Sequence, residues 1–292
     1  MSLLAVPNVS EGRDFGRLDR LDAALGDEVT LLDRHADLDH HRAVFTLAGP
    51  AGTLAEALTG LAGAAITEID MTAWEGVHPA IGALDVCPVV WLSEKRREMA
   101  GEVAREVARA IGEMGVPVFL YGEIAADHDR RERAYFRAGG LDSLWQRMTS
   151  GGLRPDFGPG QPHPTAGATL VTARAPLAAF NLELATGSVE TAREIAAAIR
   201  EGPDEGLPGV RALGLPLSTG RAQVSTNVHD PIQTPLAEVV EAVQEQAALR
   251  GTTVIEAELV GLIPEAALED YPEDVPIRDF DENFHVIERR LK

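Results

Sequence analysis

Residues 82–121, GALDVCPVVWLSEKRREMAGEVAREVARAIGEMGVPVFLY, contain the pattern that decides the fold class. The apolar run from Gly82 to Leu92 predicts a buried strand, and residues Val116 to Tyr121 predict a second one. Between them, residues Ser93 to Met114 predict a helix for which Ser93 is a suitable N-cap. A strand, a helix and a strand in this order predict layers of helices packed on a β-sheet.

The N-terminal residues show the same alternation. Strands are predicted for residues 6–9, 29–33, 42–48 and 66–71, and helices for residues 13–25 and 51–64. The polar residues 35–40 predict a turn between two of these strands.

Residues 151–167, GGLRPDFGPGQPHPTAG, are too rich in proline and glycine for a regular element and predict a junction of two subdomains, 1–165 and 166–292. The C-terminal pattern predicts strands at 168–174 with 179–184, 210–215, 221–228 and 253–259, helices at 188–200 and 235–249, and a terminal helix at 284–291. This βαββαβ order is the split βαβ unit, and the first half begins similarly. The predicted fold class is therefore α/β (α+β), with two packed subdomains whose ferredoxin-like sheets flank a central cleft.

Composition narrows the classes of function. The chain has 292 residues, a net charge of −20 and one cysteine, which excludes an internal disulfide. An acidic protein is a poor partner for nucleic acid, whose phosphates require a basic surface. The N-terminus lacks the features of a signal peptide and no long apolar run follows, so we expect a cytoplasmic protein with no membrane partner.

The segment EGVHPAIGALDVCP, residues 75–88, places His78 beside Pro79 in a turn before an apolar strand. An imidazole titrates near neutral pH, so a histidine held in such a turn suits proton abstraction. The alternative is a turn histidine that only satisfies backbone groups. Cys87 lies within the apolar strand and is interpreted as a buried thiol rather than a nucleophile.

A second group of polar residues, His35, Asp37, Asp39, His40 and His41, has two interpretations. Histidine and carboxylate at alternate strand positions are able to converge on a metal ion, but turn-forming residues at a hairpin tip are commoner. Arg42 follows this group, and its guanidinium is suited to pairing with a substrate carboxylate.

Six motifs together resemble the glutamate formimidoyltransferase (formiminotransferase) family across roughly residues 6–264: VPNVSEG (6–12), HPAIGALDVCP (78–88), FLYGE (119–123), DFGP (156–159), QVSTN (223–227) and LVGLIP (259–264). The resemblance implies transfer of a formimidoyl group from N-formimidoyl-L-glutamate to N5 of tetrahydrofolate, with His78 as general base. It also implies tetrahydrofolate as co-substrate, no metal, small molecules as partners, a homodimer, and the monofunctional form without a cyclodeaminase domain.

The resemblance also implies two sets of binding residues. The folate contacts are Gly158, Pro159, Gln161, His163, Thr165, Gly167, Gly209, Arg211 and Gly214. The substrate contacts are Asn8, His35, His41, Arg42, Tyr121, Gln223, Thr226 and Asn227. The chain departs from the family at Val77 and Ala80, where polar residues are usual. The alternatives are therefore a noncatalytic folate or small-acid binding protein, and a related transferase with another formyl or formimidoyl donor.

Overall fold

The computed structural model describes residues 2–77, 79–202 and 206–291, which divide into two compact units, Met1–Ala175 and Pro176–Lys292. The strands of the first unit are β1 (Leu3–Ala5), β2 (Asn8–Val9), β3 (Thr30–Asp37), β4 (Arg42–Gly49), β5 (Leu84–Val90), β6 (Val118–Leu120) and β7 (Thr169–Arg174). Its helices are α1 (Phe15–Ala23), α2 (Ala51–Glu68), α3 (Arg97–Glu113), α4 (Arg133–Arg137) and α5 (Gly140–Thr149). The predicted mixture of helices and sheets is confirmed.

The first unit contains a seven-stranded sheet in the order β1-β4-β2-β5-β7-β6, with β3 paired to β4. Strands β5, β7 and β6 are parallel, whereas the pairings among the first four strands are antiparallel. Apolar residues of α1, α2 and α3 pack with one face of the sheet in a large core. A smaller cluster, which includes Phe119, Phe136 and Leu170, packs with side chains of β5, β6 and β7 on the other face.

The strand predicted at residues 66–71 is wrong, because α2 continues through Glu68. Leu58, Leu61 and Ala65 are buried at helical spacing, so core packing extends the helix past the point where it was predicted to end. Helices α4 and α5 were not predicted.

The division between the units falls ten residues after the predicted boundary at 165/166. Strand β7 accounts for this difference, because it pairs in parallel with β5 and β6 and so belongs to the first sheet. The proline- and glycine-rich segment before it therefore lies within the first unit.

The second unit consists of β8 (Ala178–Leu184), α6 (Val189–Ile199), β9 (Val210–Pro216), β10 (Ala222–Val228), α7 (Leu236–Leu249), β11 (Val254–Val260), α8 (Glu282–His285) and α9 (Ile287–Arg290). The sheet order β11-β8-β10-β9 and the βαββαβ sequence confirm the predicted split βαβ unit. The predicted terminal helix is two short helices, because Val286 between them is extended and bridges to Ile263.

Alternation along the central strands of the second unit gives its sheet two different faces. Phe180, Leu182 and Val224 join the apolar core with α6 and α7. The residues between them on β8 and β10 are polar and place their side chains on the opposite face. Across the described ranges of the chain, no helix combines the length and the apolar character that a membrane span requires.

Candidate functional site

The β3–β4 hairpin ends in a tight polar turn. Asp37 is directly opposite Arg42 in the ladder, and its carboxylate accepts hydrogen bonds from the main-chain N–H groups of Asp39 and His40, both at 2.9 Å. The ring Nδ1 of the fully buried His40 also contacts this carboxylate. Asp37 and His40 therefore stabilise the turn, as the hairpin interpretation predicts.

We expect Asp37→Asn to destabilise the protein by about 2 kcal/mol at neutral pH, because it replaces an ionised acceptor of three hydrogen bonds. Burial opposes ionisation of Asp37, but the bonds from His40 outweigh it and lower the pKa to about 2 from 3.8. A lowered folded-state pKa gives stability that is complete above the unfolded pKa and is lost as the pH falls from about 4 towards 2. Urea unfolding at several pH values measures this.

The control for this variant is Asp70→Asn, which changes an exposed aspartate that accepts two hydrogen bonds from Thr72. A loss of stability for Asp37→Asn no greater than for this control, or an unchanged acid limb of the wild-type stability profile, would contradict the assignment.

The segment that follows β2 packs against the hairpin turn. A Cβ on Gly12 would lie 2.3 Å from Asp37 O and 2.6 Å from Arg42 N, so only glycine allows this close approach. The adjacent Glu11 is buried and accepts hydrogen bonds from the N–H groups of Arg13 and Asp14. Burial raises its pKa, but these bonds dominate and leave the pKa of Glu11 below its usual value. The VPNVSEG motif therefore packs against the hairpin turn through Gly12 and stabilises the segment before α1 through Glu11.

His41 connects the hairpin to a neighbouring loop. Its Nδ1 accepts the N–H of Gly12 at 3.2 Å, and its ring stacks on Trp74 at a centroid distance of 6.1 Å. The indole N–H of Trp74 donates to His41 O at 3.1 Å. Burial lowers the pKa of His41 and so favours the neutral imidazole, in which Nδ1 is the acceptor and the proton lies on Nε2.

Three of the predicted substrate contacts share one face of the first sheet. Asn8 is opposite Val44, Val44 is opposite His35, and Arg42 is two residues before Val44. Residues directly opposed or two apart lie on the same face, so Asn8, His35 and Arg42 project together. His41 is not among them, because its ring packs on Trp74.

A cavity of about 310 Å³ is lined in part by the chain neighbours of the candidate base His78. It is lined by Met71, Trp74, Gly76, Val77, Pro79, Ala80, Arg137, Gly140 and Leu141. His78 itself lies outside the described residues, but its chain neighbours Val77 and Pro79 both form the cavity wall. A largely apolar cavity with one aromatic ring and one cation is typical of a small-molecule site.

Positive charge is concentrated beside this cavity. The arginine cluster consists of Arg42, Arg133, Arg137 and Arg174, which interact electrostatically with one another or with Tyr121. Burial lowers the pKa of Arg42 to about 10, because burial and the like charges of Arg137 and Arg133 together outweigh the attraction of Asp37. Burial likewise lowers the pKa of Arg174 to about 10. With pKa values of about 10, the guanidinium groups of Arg42 and Arg174 stay charged at neutral pH. A bound anion would offset the energetic cost of burying the charges of the cluster and the repulsion between them.

Asp85 connects the arginine cluster to the turn after His78. The pairings Asn8–Val86 and Val9–Leu84 leave Asp85 out of the ladder, which is a β-bulge. Its buried carboxylate accepts the N–H of Ile81 at 2.7 Å and forms an ion pair with Arg137. One side chain therefore fixes both the turn and the arginine that lines the cavity.

The predicted folate loop, residues 158–167, is attached to the same turn. Gly167 has a φ of +69° and forms a bridge with Gly82, and the N–H of Met71 donates to Thr165 O at 2.7 Å. Within the loop, His163 Nδ1 accepts the N–H of Ala166 at 3.0 Å. Gly158, Pro159 and Gln161 are exposed. The structure thus brings this loop and the cavity wall together.

The remaining predicted contacts belong to the second unit. Gln223 and Asn227 share the polar face of β10, whereas Thr226 is buried on the helix-covered face and donates its hydroxyl to Phe180 O. Thr226 is therefore not brought together with the other two residues.

The other three folate candidates lie at or near β9. Gly209 precedes the strand with a φ of +70°, and Arg211 forms an ion pair with Glu201 at 2.6 Å. A Cβ on Gly214 would lie 2.2 Å from Arg193 N, so this glycine is required for packing on α6.

Cys87 is fully buried, and burial raises the pKa of its thiol to about 12, as expected for a structural cysteine. The sequence did not identify Trp74, Asp85, Arg133, Arg137 or Arg174 as parts of a site.

Comparisons with known proteins match both units of the chain to domains of the same family. The profile described as "Formiminotransferase domain, N-terminal subdomain" matches residues 2–174, and "Formiminotransferase domain" matches residues 179–273. A glutamate formimidoyltransferase of Streptococcus pyogenes serotype M1 is 37% identical over 98% of this chain and 97% of its own length. Another, of Thermoplasma acidophilum, is 36% identical over 100% of this chain and 98% of its length. The formimidoyltransferase-cyclodeaminase of Gallus gallus is 37% identical over 92% of this chain, which spans 51% of that relative.

Proposed function

Because the chain belongs to the formiminotransferase family, we propose that it transfers the formimidoyl group of N-formimidoyl-L-glutamate to N5 of tetrahydrofolate. Tetrahydrofolate is then a co-substrate and no metal takes part. The resemblance also supports a homodimer, a cytoplasmic location and a place in histidine degradation. The charge of −20 supports small molecules rather than nucleic acid as partners.

The proposed chemistry is an addition followed by an elimination. N5 of tetrahydrofolate attacks the formimidoyl carbon while His78 accepts the N5 proton. The tetrahedral intermediate then breaks its bond to the glutamate nitrogen, which takes up a proton and leaves as the amine. Support for this role comes from the HPAIGALDVCP motif and from Val77 and Pro79, which line the cavity.

The arginine cluster is the observation that carries the proposal. The donor has two carboxylates, and guanidinium groups pair with carboxylates through two parallel hydrogen bonds. Arg137 belongs to this cluster and lines the cavity whose wall also contains Val77 and Pro79. Binding of the donor here would place its formimidoyl carbon near Val77 and Pro79, the chain neighbours of the proposed base.

We assign tetrahydrofolate to the loop that carries Gly158, Pro159, Gln161, His163, Thr165 and Gly167. Hydrogen bonding of Thr165 to the cavity-wall residue Met71 supports this assignment. Gly209, Arg211 and Gly214 remain predicted folate contacts. Asn8, His35, His41, Tyr121, Gln223, Thr226 and Asn227 remain predicted substrate contacts, with Thr226 the weakest because its side chain is in the core.

A steady-state assay tests the function. The purified protein is incubated with N-formimidoyl-L-glutamate and tetrahydrofolate, and both 5-formimidoyltetrahydrofolate and released glutamate are measured. Equal amounts of the two products support transfer. Binding of tetrahydrofolate without turnover would instead indicate a noncatalytic binding protein, and turnover only with N-formyl-L-glutamate would indicate a different donor.

Arg42→Met tests the arginine cluster. Methionine keeps much of the apolar stem but removes the charged fork, so the affinity for N-formimidoyl-L-glutamate should fall about tenfold or more. The melting temperature should change less, because relief of the repulsion from Arg137 and Arg133 offsets the lost attraction to Asp37. Calorimetric titration and a thermal melt measure the two effects.

The matched control is Arg105→Met, which removes an arginine whose Nη1 donates to Gly101 O within α3. If Arg42→Met loses stability but binds the donor as tightly as Arg105→Met, then Arg42 is structural and the carboxylate assignment is wrong.

A further inference from the structure

A short segment of the first unit holds both ends of the predicted folate loop. This connecting segment, residues 129–137, consists of a 3₁₀ helix followed by α4. Arg130, near its start, forms an ion pair with Asp156, two residues before the loop, and its last residue, Arg137, forms an ion pair with Asp85. None of these four side chains is more than 15% exposed, so water cannot readily replace either pair.

The Arg130–Asp156 pair fixes the start of the loop. Arg130 Nη2 donates to Asp156 Oδ2 at 2.6 Å and Nη1 lies 3.4 Å from Oδ1, so the guanidinium fork faces the carboxylate. Asp156 Oδ2 also accepts the N–H of Leu120 at 2.8 Å. The Arg130 guanidinium lies 5.6 Å from the ring centroids of both Phe119 and Phe136. Arg130 therefore contacts the start of the loop, β6 and α4 at the same time.

The Arg137–Asp85 pair fixes the end of the loop. Asp85 Oδ1 accepts the N–H of Ile81 at 2.7 Å, and Ile81 O accepts the N–H of Ala168, the residue after the loop, at 2.9 Å. Arg137 also lines the cavity. Its Nη2 pairs with Asp85, whereas its buried Nε has no hydrogen-bond partner among the described residues and remains available to a bound carboxylate.

We infer that Arg130 is a positioning residue that couples the two substrate-binding parts of the site. A carboxylate bound at Arg137 would restrain the connecting segment, and the two ion pairs would then restrain both ends of the predicted folate loop. The entropy of ordering the segment and the loop is then lost only once when both substrates bind. Each substrate should therefore bind more tightly in the presence of the other, by the same factor in either order. This inference rests on the proposed function for the identity of the two ligands.

The test is calorimetric titration of the full chain with two probes that do not react with each other, L-glutamate and tetrahydrofolate. L-glutamate carries both carboxylates of the donor but has no formimidoyl group to transfer. Its Kd is measured without tetrahydrofolate and with tetrahydrofolate at saturation. We expect the wild type to bind L-glutamate about fivefold or more tightly in the second case, since coupling between two sites is usually at least of this size.

The variant Arg130→Met removes the charged fork and keeps much of the apolar stem that packs on the two rings. We expect the ratio of the two Kd values to fall to about one, because the start of the loop is no longer attached to the connecting segment. The double variant Arg130→Met with Asp156→Asn leaves no uncompensated buried carboxylate, so it should recover stability in urea unfolding. It should not recover the ratio. If Arg130→Met does not fold, the double variant carries the same test.

The matched control is Arg147→Met, which removes another arginine that contacts α4. Arg147 Nη1 donates to Tyr135 O at 2.6 Å, and its guanidinium lies 4.5 Å from the centroid of the Tyr135 ring. This variant loses packing on α4 but keeps the Arg130–Asp156 pair, so it should keep the wild-type ratio. A ratio that falls as far in Arg147→Met as in Arg130→Met would show that the pair has no specific role in coupling.

The remaining outcomes separate this inference from the proposed function. The inference is overturned by a wild-type ratio near one, by a wild-type ratio retained in the folded variants, or by a wild type that binds L-glutamate in neither condition. Transfer activity of the wild type would leave the proposed function intact in each of these cases. Conversely, absence of transfer together with a ratio that depends on Arg130 would overturn the function and leave the coupling.

Discussion

A His78→Ala variant should transfer the formimidoyl group about 10²- to 10⁴-fold more slowly than the wild type, because that is the usual contribution of a general base. Alanine removes the group proposed to accept the N5 proton and leaves the flanking Val77 and Pro79 unchanged. We therefore expect the loss to appear in kcat, with KM for both substrates changed much less. The pH profile should also lose the limb that reports titration of this base.

The control for this variant is His128→Ala, which replaces an exposed histidine of the first unit. Its kcat should equal that of the wild type. Circular dichroism and thermal melts of all three proteins separate loss of chemistry from loss of fold. Unchanged kcat in folded His78→Ala would refute the assignment of the base.

The fold of the second unit could be predicted from sequence because each of its elements has a clear period. Residues 178–184 and 222–228 alternate between core and polar face, and the two helices begin close to the predicted residues. Local propensity and burial agree along this stretch, so the pattern alone indicates the order of strands and helices.

The arginine cluster could not be predicted, because nothing local distinguishes its members from surface charges. Arg133 and Arg137 occur in the sequence RRERAYFR (130–137), which is typical of an exposed helix. The ion pair between Arg137 and Asp85, across 52 residues, holds this short helix against the strand beside the cavity. The cluster depends on contacts between residues far apart in the sequence, and the periodicity of apolar residues does not reveal such contacts.

Asp85→Ala should destabilise the protein by about 3–5 kcal/mol, because it removes one partner of a buried ion pair and leaves the other without compensation. The Asp85 side chain is 3% exposed and that of Arg137 is 11% exposed, so water cannot replace the lost carboxylate efficiently. The N–H of Ile81 also loses its acceptor. Urea unfolding measures the change in the free energy of unfolding. The value of kcat/KM should fall as well, because Ile81, three residues after the proposed base, loses its anchor.

Two further variants separate the contributions of charge and turn. Asp85→Asn keeps an acceptor for Ile81 but removes the charge, so it should lose less stability than Asp85→Ala. The double variant Asp85→Ala with Arg137→Met removes both charges, and it should recover part of the lost stability because no uncompensated guanidinium remains. It should not recover kcat/KM, since Arg137 lines the cavity and belongs to the arginine cluster. Recovery of activity together with stability would mean that Asp85 and Arg137 only maintain the fold, whereas stability without activity places this pair in the binding of the anionic substrate.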